Sequence, residues 1–189
     1  AAFGLMVLIT AGAALAADVH RSAGLAVFAV TGGFLTPFLV GGGENAQVTL
    51  LTYDTLLAVG TMILAGRRGW PFLNLLSYAF VLFTFGSWAD RFYSAAQWVP
   101  TQAFLTILGA LFTFIGIRTW RSDRAAESGT GLSLLTAPLL YHAASVANLQ
   151  PHWMALLVYL TLAALAGAAA SVKLARAWLR LVGFALTAP

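Results

Sequence analysis

The sequence has no cysteine and very little charge. Among its 189 residues, only 8% are Asp, Glu, Lys or Arg, whereas a soluble globular domain carries about 25%. Without cysteine the chain can form no disulfide, and it has no thiol nucleophile or thiolate metal ligand. In place of charge it has apolar residues, which make up 60% of the chain and occur in long runs. This composition is typical of an integral membrane protein that crosses the bilayer several times.

Several signatures of chemistry are also missing. The glycine run in "VGGGEN" lacks the lysine and following Ser or Thr of a phosphate-binding loop. No His-Glu-x-x-His motif occurs, and His142 and His152 do not have the spacing of metal ligands. The net charge is +4, and the basic residues lie in short clusters at the ends of apolar runs. We therefore predict no cofactor, no metal and no nucleic-acid partner, and we expect the lipid bilayer to be the main partner.

The apolar runs predict helices of about 17 to 21 residues, enough to cross a hydrocarbon core of about 30 Å. They lie at about 1–17, 23–40, 46–66, 71–89, 98–117, 131–147, 151–170 and 174–189. The predicted fold is an all-α, polytopic transmembrane helical bundle of seven or eight spans in a single domain. Because the chain starts and ends inside apolar runs, we expect it to be a fragment of a longer protein.

The basic residues predict the orientation of the bundle. Nine of the ten lie in the first, third, fifth and seventh loops between successive spans, and only Arg91 lies in an even loop. Cytoplasmic loops of membrane proteins carry an excess of Lys and Arg. The odd loops are therefore predicted to be cytoplasmic and the N-terminus of the fragment outside. In the last loop Lys173, Arg176 and Arg180 share one helical face, which is expected to contact lipid at the cytoplasmic surface.

A short motif recurs along the chain. "GGFLTPFL" at 32–39 returns approximately as "GLSLLTAPLL" at 131–140 and as "GFALTAP" at 183–189. The spacing is compatible with a repeated two-helix hairpin of about 50 residues, although short loops and spans of ordinary length give a similar period. Proline inside a span kinks the helix. Pro37 and Pro138 are therefore predicted kinks, which either line a cavity or adjust helix packing.

Four stretches give the chain a family resemblance: "GGFLTPFLV", an aromatic span, "RRGWPFLNLLSYAF" and "ADRFYSAAQW". Together they resemble a family of large bacterial multi-span membrane proteins known only as a domain of unknown function. The resemblance covers mainly residues 24–117. It implies a location in the bacterial inner membrane and a protein with more spans than this chain contains. It implies no catalytic residue.

Ionisable groups within spans are costly in hydrocarbon, so each is a candidate functional residue. Asp54 in "LLTYDTLL" and His142 in "LLYHAAS" both fall in the outer half of a predicted span. A proton or cation site is one interpretation of Asp54, and a structural hydrogen bond to a neighbouring helix is the other. Four further binding candidates lie near the outer ends of spans: Glu44, Asp90, Arg91 and His152.

Three functions remain open on the sequence alone. A transporter-like protein with a polar site in the outer half of the bilayer fits the kinks and Asp54. A structural or accessory subunit of a larger membrane complex fits the scarcity of charge. A membrane enzyme acting on a lipid-linked substrate would use Asp54, Asp90 or His142 as acid or base. No catalytic residue is assigned, and a non-enzymatic role is preferred.

Overall fold

The computed structural model describes residues 2–40, 45–120, 130, 134 and 136–174, and in these ranges every long element is a helix. Helix α1 spans Ala2–Val19 and α2 spans Ala23–Val40, with a tight turn between them. Helices α3 and α4 span Gln47–Arg68 and Phe72–Phe92. A single 3₁₀ turn, Ala95–Gln97, leads into α5, Trp98–Trp120. Helix α6 spans Ala137–Leu149 and α7 spans Trp153–Leu174.

The helices form a membrane bundle, as the sequence predicts. Three segments are long and apolar enough to cross a membrane, by length and composition: Gln47–Arg68, Phe72–Phe92 and Ala95–Thr119. Three shorter apolar segments accompany them: Gly4–Val19, Ala23–Leu39 and Trp153–Gly167. The predicted last span, 174–189, lies outside the described residues except for its first residue, so the division into eight spans stays a prediction.

The core of the bundle lies where α2, α4 and α5 meet their neighbours. Fully buried apolar side chains include Phe34 of α2, Leu73 of α4 and Phe112 of α5. The rings of Phe34 and Phe80 stack with centroids 5.5 Å apart, which joins α2 to α4. Large apolar side chains remain exposed on the outside of the bundle, where in a bilayer they contact lipid.

The two ends of the bundle differ in polarity. At one end, which we call the arginine end, Asp18 of α1 forms ion pairs with Arg67 and Arg68 at the end of α3. The guanidinium of Arg118 lies beside Gly66 at the same end, where a Cβ on Gly66 would be 3.6 Å from Arg118 Nη2. The turns after α1 and α3 and the end of α5 therefore share one end, as the alternation of basic loops requires.

At the opposite end, which we call the amide end, hydrogen bonds connect the start of α3, the end of α4, the start of α5 and the end of α6. Trp88 Nε1 donates to Asn45 Oδ1 at 3.1 Å, and Gln47 Nε2 donates to Thr101 Oγ1 at 2.8 Å. Asn148 is buried and serves three partners, which are the Tyr93 hydroxyl, the Trp98 carbonyl and the Gln102 side chain. This network fixes the helix ends at one surface of the bundle.

The two described copies of the threonine-proline motif occupy different positions. Pro37 lies inside α2, three residues before its end. Pro138 is the second residue of α6, where the missing backbone N–H would have no helical partner in any case. The structure thus differs from the expected kink at Pro138, which begins a helix. The third copy, at 183–189, lies outside the described residues.

Candidate functional site

Asp54 lies on the buried face of α3. Leu51, Asp54, Ala58 and Thr61 are buried in turn, a spacing of three and four residues that marks one side of a helix. The exposed fraction of Asp54 is 0%. It is the seventh residue after the start of α3, which puts it about 10 Å along the axis from the amide end. An aspartate is thus held inside the bundle rather than at its surface.

The neighbouring helix α4 presents a column of polar side chains along its buried face. Asn74, Ser77, Tyr78 and Thr84 are all buried, and they are spaced three, one and six residues apart, which keeps them close to one side of the helix. Thr84 lies eight residues before the end of α4, about 12 Å from the amide end, which matches the depth of Asp54. Its hydroxyl lies close enough to interact with the Asp54 carboxyl.

Helix α6 is the third helix at this site, and it contributes Tyr141. Its ring stacks on Phe112 of α5 at 6.2 Å and lies 6.3 Å from the ring of Tyr78. A Cβ on Gly109 would lie 3.1 Å from the Cβ of Tyr141, so a glycine at this position lets α6 approach α5 closely. Tyr141 is within electrostatic range of Asp54. Hydroxyl-bearing side chains of two other helices therefore lie in the neighbourhood of the carboxyl.

These polar groups do not satisfy one another. Among the described residues, no hydrogen bond of ordinary geometry reaches either Asp54 oxygen, Thr84 Oγ1, Tyr78 OH, Tyr141 OH, Ser77 Oγ or Asn74 Oδ1. Buried polar atoms are normally paired, and each unpaired one costs about 1–3 kcal/mol. So many unpaired oxygens in one region distinguish it from the bonded network at the amide end.

Tyr53, the neighbour of Asp54, pairs with the backbone carbonyl that Pro37 leaves without a helical partner. Pro37 has no backbone N–H, so the carbonyl of Gly33, four residues earlier, loses its helical partner. The Tyr53 hydroxyl donates to that carbonyl at 2.8 Å. The Thr36 hydroxyl also donates to the carbonyl of Gly32 at 2.6 Å. The segment of α2 around Pro37 is thus a contact point for α3.

An apolar crevice of about 120 Å³ lies between α1, α2 and α3. Its wall includes Thr10, Phe34, Tyr53 and Leu57. It has no charged side chain, so it offers no site for an ion or an acid–base reaction.

The other predicted site residues do not gather around Asp54. His142 Nδ1 lies 3.1 Å from the Tyr159 hydroxyl of α7, and the two rings stack. The ring of His152 stacks on Trp98 with centroids 4.3 Å apart. Asp90 and Arg91 are exposed at the end of α4. The two histidines and this exposed pair thus have surroundings of their own.

Four further predicted residues lie wholly or partly outside the described part of the chain. Glu44, Arg176 and Arg180 are outside it. Lys173 lies in the last turn of α7, but its side chain is not among those described. Within the described residues, no three His, Asp or Glu side chains come together in a way that would hold a metal ion.

Sequence reasoning identified Asp54 but missed the residues around it. Thr84, Tyr78 and Tyr141 are ordinary residues in a span, and nothing in their local sequence marks them. One available signal was the spacing of Asn74, Ser77, Tyr78 and Thr84, which lie close to one helical face. The link between Tyr53 and Pro37 follows from no one-dimensional pattern.

Comparison with known protein families identifies the family of this chain. No curated protein and no solved structure matches the chain. A family model described as "Predicted membrane protein (DUF2339)" matches residues 1–189, the whole chain, and so extends the resemblance beyond residues 24–117. With its helical membrane bundle and this full-length match, the chain belongs to the DUF2339 family of membrane proteins of unknown function.

Proposed function

We propose that this chain belongs to a transporter-like membrane protein in which Asp54 binds a proton or a small monovalent cation. The observation that carries the proposal is the fully buried Asp54 carboxyl, which has no hydrogen-bond partner or cationic side chain beside it among the described residues. An ionised aspartate at the centre of a span costs roughly 3 kcal/mol or more. A proton or cation from outside the chain removes this cost.

The surroundings of Asp54 fit such a ligand. Thr84 and Tyr141 provide hydroxyl oxygens on two different helices, and a hydroxyl both donates and accepts hydrogen bonds. Such oxygens stabilise a protonated carboxyl and also suit a small hard cation. The site is too enclosed for a larger substrate, so Asp54 would act as the coupling site of a transporter rather than as its substrate pocket.

The other two functions receive less support. A membrane enzyme needs two titratable groups at one cavity, and among the described residues Asp54, Asp90 and His142 have separate surroundings. An accessory subunit is the second candidate, because α7 carries a wide exposed apolar face that suits lipid or another membrane subunit. This face consists of Trp153, Met154, Leu157, Val158, Leu162 and Leu165.

For location, we propose the bacterial inner membrane with the arginine end in the cytoplasm. The excess of arginine at the ends of α3 and α5 supports this orientation through the positive-inside rule. Asp54 then lies in the outer half of the bilayer. Reporter fusions at the turns after α1 and α3 test the orientation, and a periplasmic signal from both would contradict it.

The test is to detect the proton on Asp54 directly. The full-length protein is placed in lipid nanodiscs near neutral pH, and infrared difference spectra are compared for wild type and Asp54→Asn. We expect the carbonyl stretch of a protonated carboxylic acid in the wild type and its loss in Asp54→Asn. If a cation is the ligand, the acid band is present without added salt, and sodium or potassium replaces it with carboxylate bands in the wild type alone.

Asp90→Asn is the matched control, because it makes the same substitution at an exposed residue of α4. We expect it to keep the spectrum of the wild type. In proteoliposomes, Asp54→Asn should abolish proton or cation flux while Asp90→Asn preserves it. An Asp54 that is ionised, insensitive to cations and irrelevant to flux would overturn the proposal and favour a structural role.

A further inference from the structure

We propose that the polar column of α4, together with Tyr141 and Thr136, is the route by which protons reach Asp54 from the arginine end. This inference rests on the proposed function, because it concerns the path to the same carboxyl. It also assigns a role to buried hydroxyl groups that helix packing alone does not explain.

The column runs toward one end of the bundle only. Thr84 lies at the depth of Asp54, Tyr78 lies six residues after the start of α4, and Asn74 lies two residues after it. With a rise of about 1.5 Å per residue, these positions descend from about 18 Å to about 3 Å above the arginine end of α4. Their side chains are buried, and within the described residues no hydrogen bond of ordinary geometry reaches these oxygens.

The route has an exposed exit. The Tyr78 hydroxyl interacts with Thr136, the residue just before α6, and Thr136 is exposed. Helix α6 ends in the amide-end network through Asn148, so its first residue points toward the arginine end. The order of groups is then Thr136, Tyr78, Tyr141 and Asp54, with the ring centroids of the two tyrosines 6.3 Å apart.

The opposite direction is closed. Between Asp54 and the amide end lie Leu51, with 0% exposure, and Trp88, with 3%. The Trp88 indole N–H is bonded to Asn45, and the Gln47 amide is bonded to Thr101. A proton relay needs groups that are able to exchange partners, and these groups are already engaged. Access from the arginine end is therefore the direction that the distribution of unpaired oxygens favours.

The transfer is balanced at each step. A hydronium ion at Thr136 gives up one proton, and each hydroxyl or bridging water along the column accepts a proton on one side and releases another on the other side. The last proton bonds to a carboxylate oxygen of Asp54. The relay groups return to their original state, and the net change is one proton moved from water to Asp54.

Hydrogen–deuterium exchange of the Asp54 carboxyl tests the route. The full-length protein in nanodiscs is transferred to heavy water, and the shift of the acid carbonyl band is followed in time. Tyr78→Phe keeps the ring that packs against Phe112 and removes the hydroxyl. Because one relay position is lost, we expect exchange to slow by roughly tenfold, the equivalent of one hydrogen bond.

Two further variants make the result decisive. Thr136→Val changes the exposed exit, where the threonine side chain does not cap α6, and should slow exchange even if Tyr78→Phe folds poorly. Tyr159→Phe is the matched control on α7 and should exchange like the wild type. If the Asp54 band is present but exchange is unchanged in Thr136→Val and in a correctly folded Tyr78→Phe, the proposed route is wrong. Absence of that band in the wild type would instead overturn the proton site itself.

Discussion

At the residue scale, the candidate site and the contact between α2 and α3 depend on which buried polar atoms have hydrogen-bond partners. The sequence is enough to predict that Asp54 is buried within a helix, because it interrupts a charge-free run. Its surroundings were not predictable, since the rotation and depth of α4 and α6 decide which hydroxyls face it. The same limit applies to Pro37, where the proline within a span was evident but the hydroxyl that pairs with the freed carbonyl, that of Tyr53, depends on packing between α2 and α3.

The pairing of Tyr53 with the carbonyl freed by Pro37 predicts a non-additive pair of substitutions. Tyr53→Phe leaves the Gly33 carbonyl unpaired and should lower the free energy of unfolding by about 1–3 kcal/mol. In a Pro37→Ala background the restored backbone N–H can pair with that carbonyl, so the same substitution should cost at least about 1 kcal/mol less. Thermal or denaturant unfolding in detergent measures the cycle. Additive effects would mean that the Tyr53 hydroxyl does not compensate for the backbone N–H that Pro37 lacks.

At the scale of the elements, glycines determine how closely helices approach. Of the seven α-helices in the described part of the chain, six begin and end within four residues of the predicted apolar runs, because hydrophobicity and turn residues are local signals. Helix α6 begins six residues later than the predicted run, at the threonine-proline motif. Which glycines touch another helix was not predictable. Gly33 faces α1 and Gly109 faces α6, whereas Gly32 has no neighbour within 4 Å.

Gly32 and Gly33 therefore provide a matched pair of substitutions. A Cβ at Gly33 would lie 2.7 Å from Thr10 Cγ2, a distance that forces a shift. Overpacking costs about 1–3 kcal/mol, and replacing a helical glycine with alanine returns up to about 1 kcal/mol. We expect Gly33→Ala to destabilise the protein by about 1–2 kcal/mol and Gly32→Ala to be neutral or stabilising. Unfolding midpoints compare the two, and Thr10→Ala should restore Gly33→Ala; equal effects at both glycines would contradict this account.

At the scale of the whole molecule, the two ends are held by different interactions. The amide end is held by neutral hydrogen bonds, and the arginine end is held by ion pairs of Asp18 with Arg67 and Arg68. The alternation of basic loops predicted that the ends of α1 and α3 lie on one side. It did not predict that Asp18 would join them, because an acidic residue at a span end carries little topological information.

The arginine end predicts a dependence of stability on pH. The hydrogen bond from Arg68, with the charges of Arg67 and Arg68, lowers the pKa of Asp18 from its ordinary value of 3.8. Its contribution is therefore present above about pH 4 and is lost as pH falls through the lowered pKa. When the pH is lowered below about 4, we expect the midpoint temperature of unfolding to decrease more in the wild type than in Asp18→Asn. The exposed Asp90→Asn is the control, and parallel pH profiles for Asp18→Asn and the wild type would exclude this role.

Helix α3 carries Tyr53 and Asp54 side by side, and successive helical residues point about 100° apart. Tyr53 is hydrogen-bonded to α2, and Asp54 lies on the side of the hydroxyls of α4 and α6. A rigid helix cannot turn one of these side chains without turning the other. The orientation of Asp54 and the hydrogen bond from Tyr53 to Gly33 therefore depend on the same rotation of α3. A ligand that favoured one rotation at Asp54 would change the strength of the Tyr53–Gly33 hydrogen bond by the same free energy.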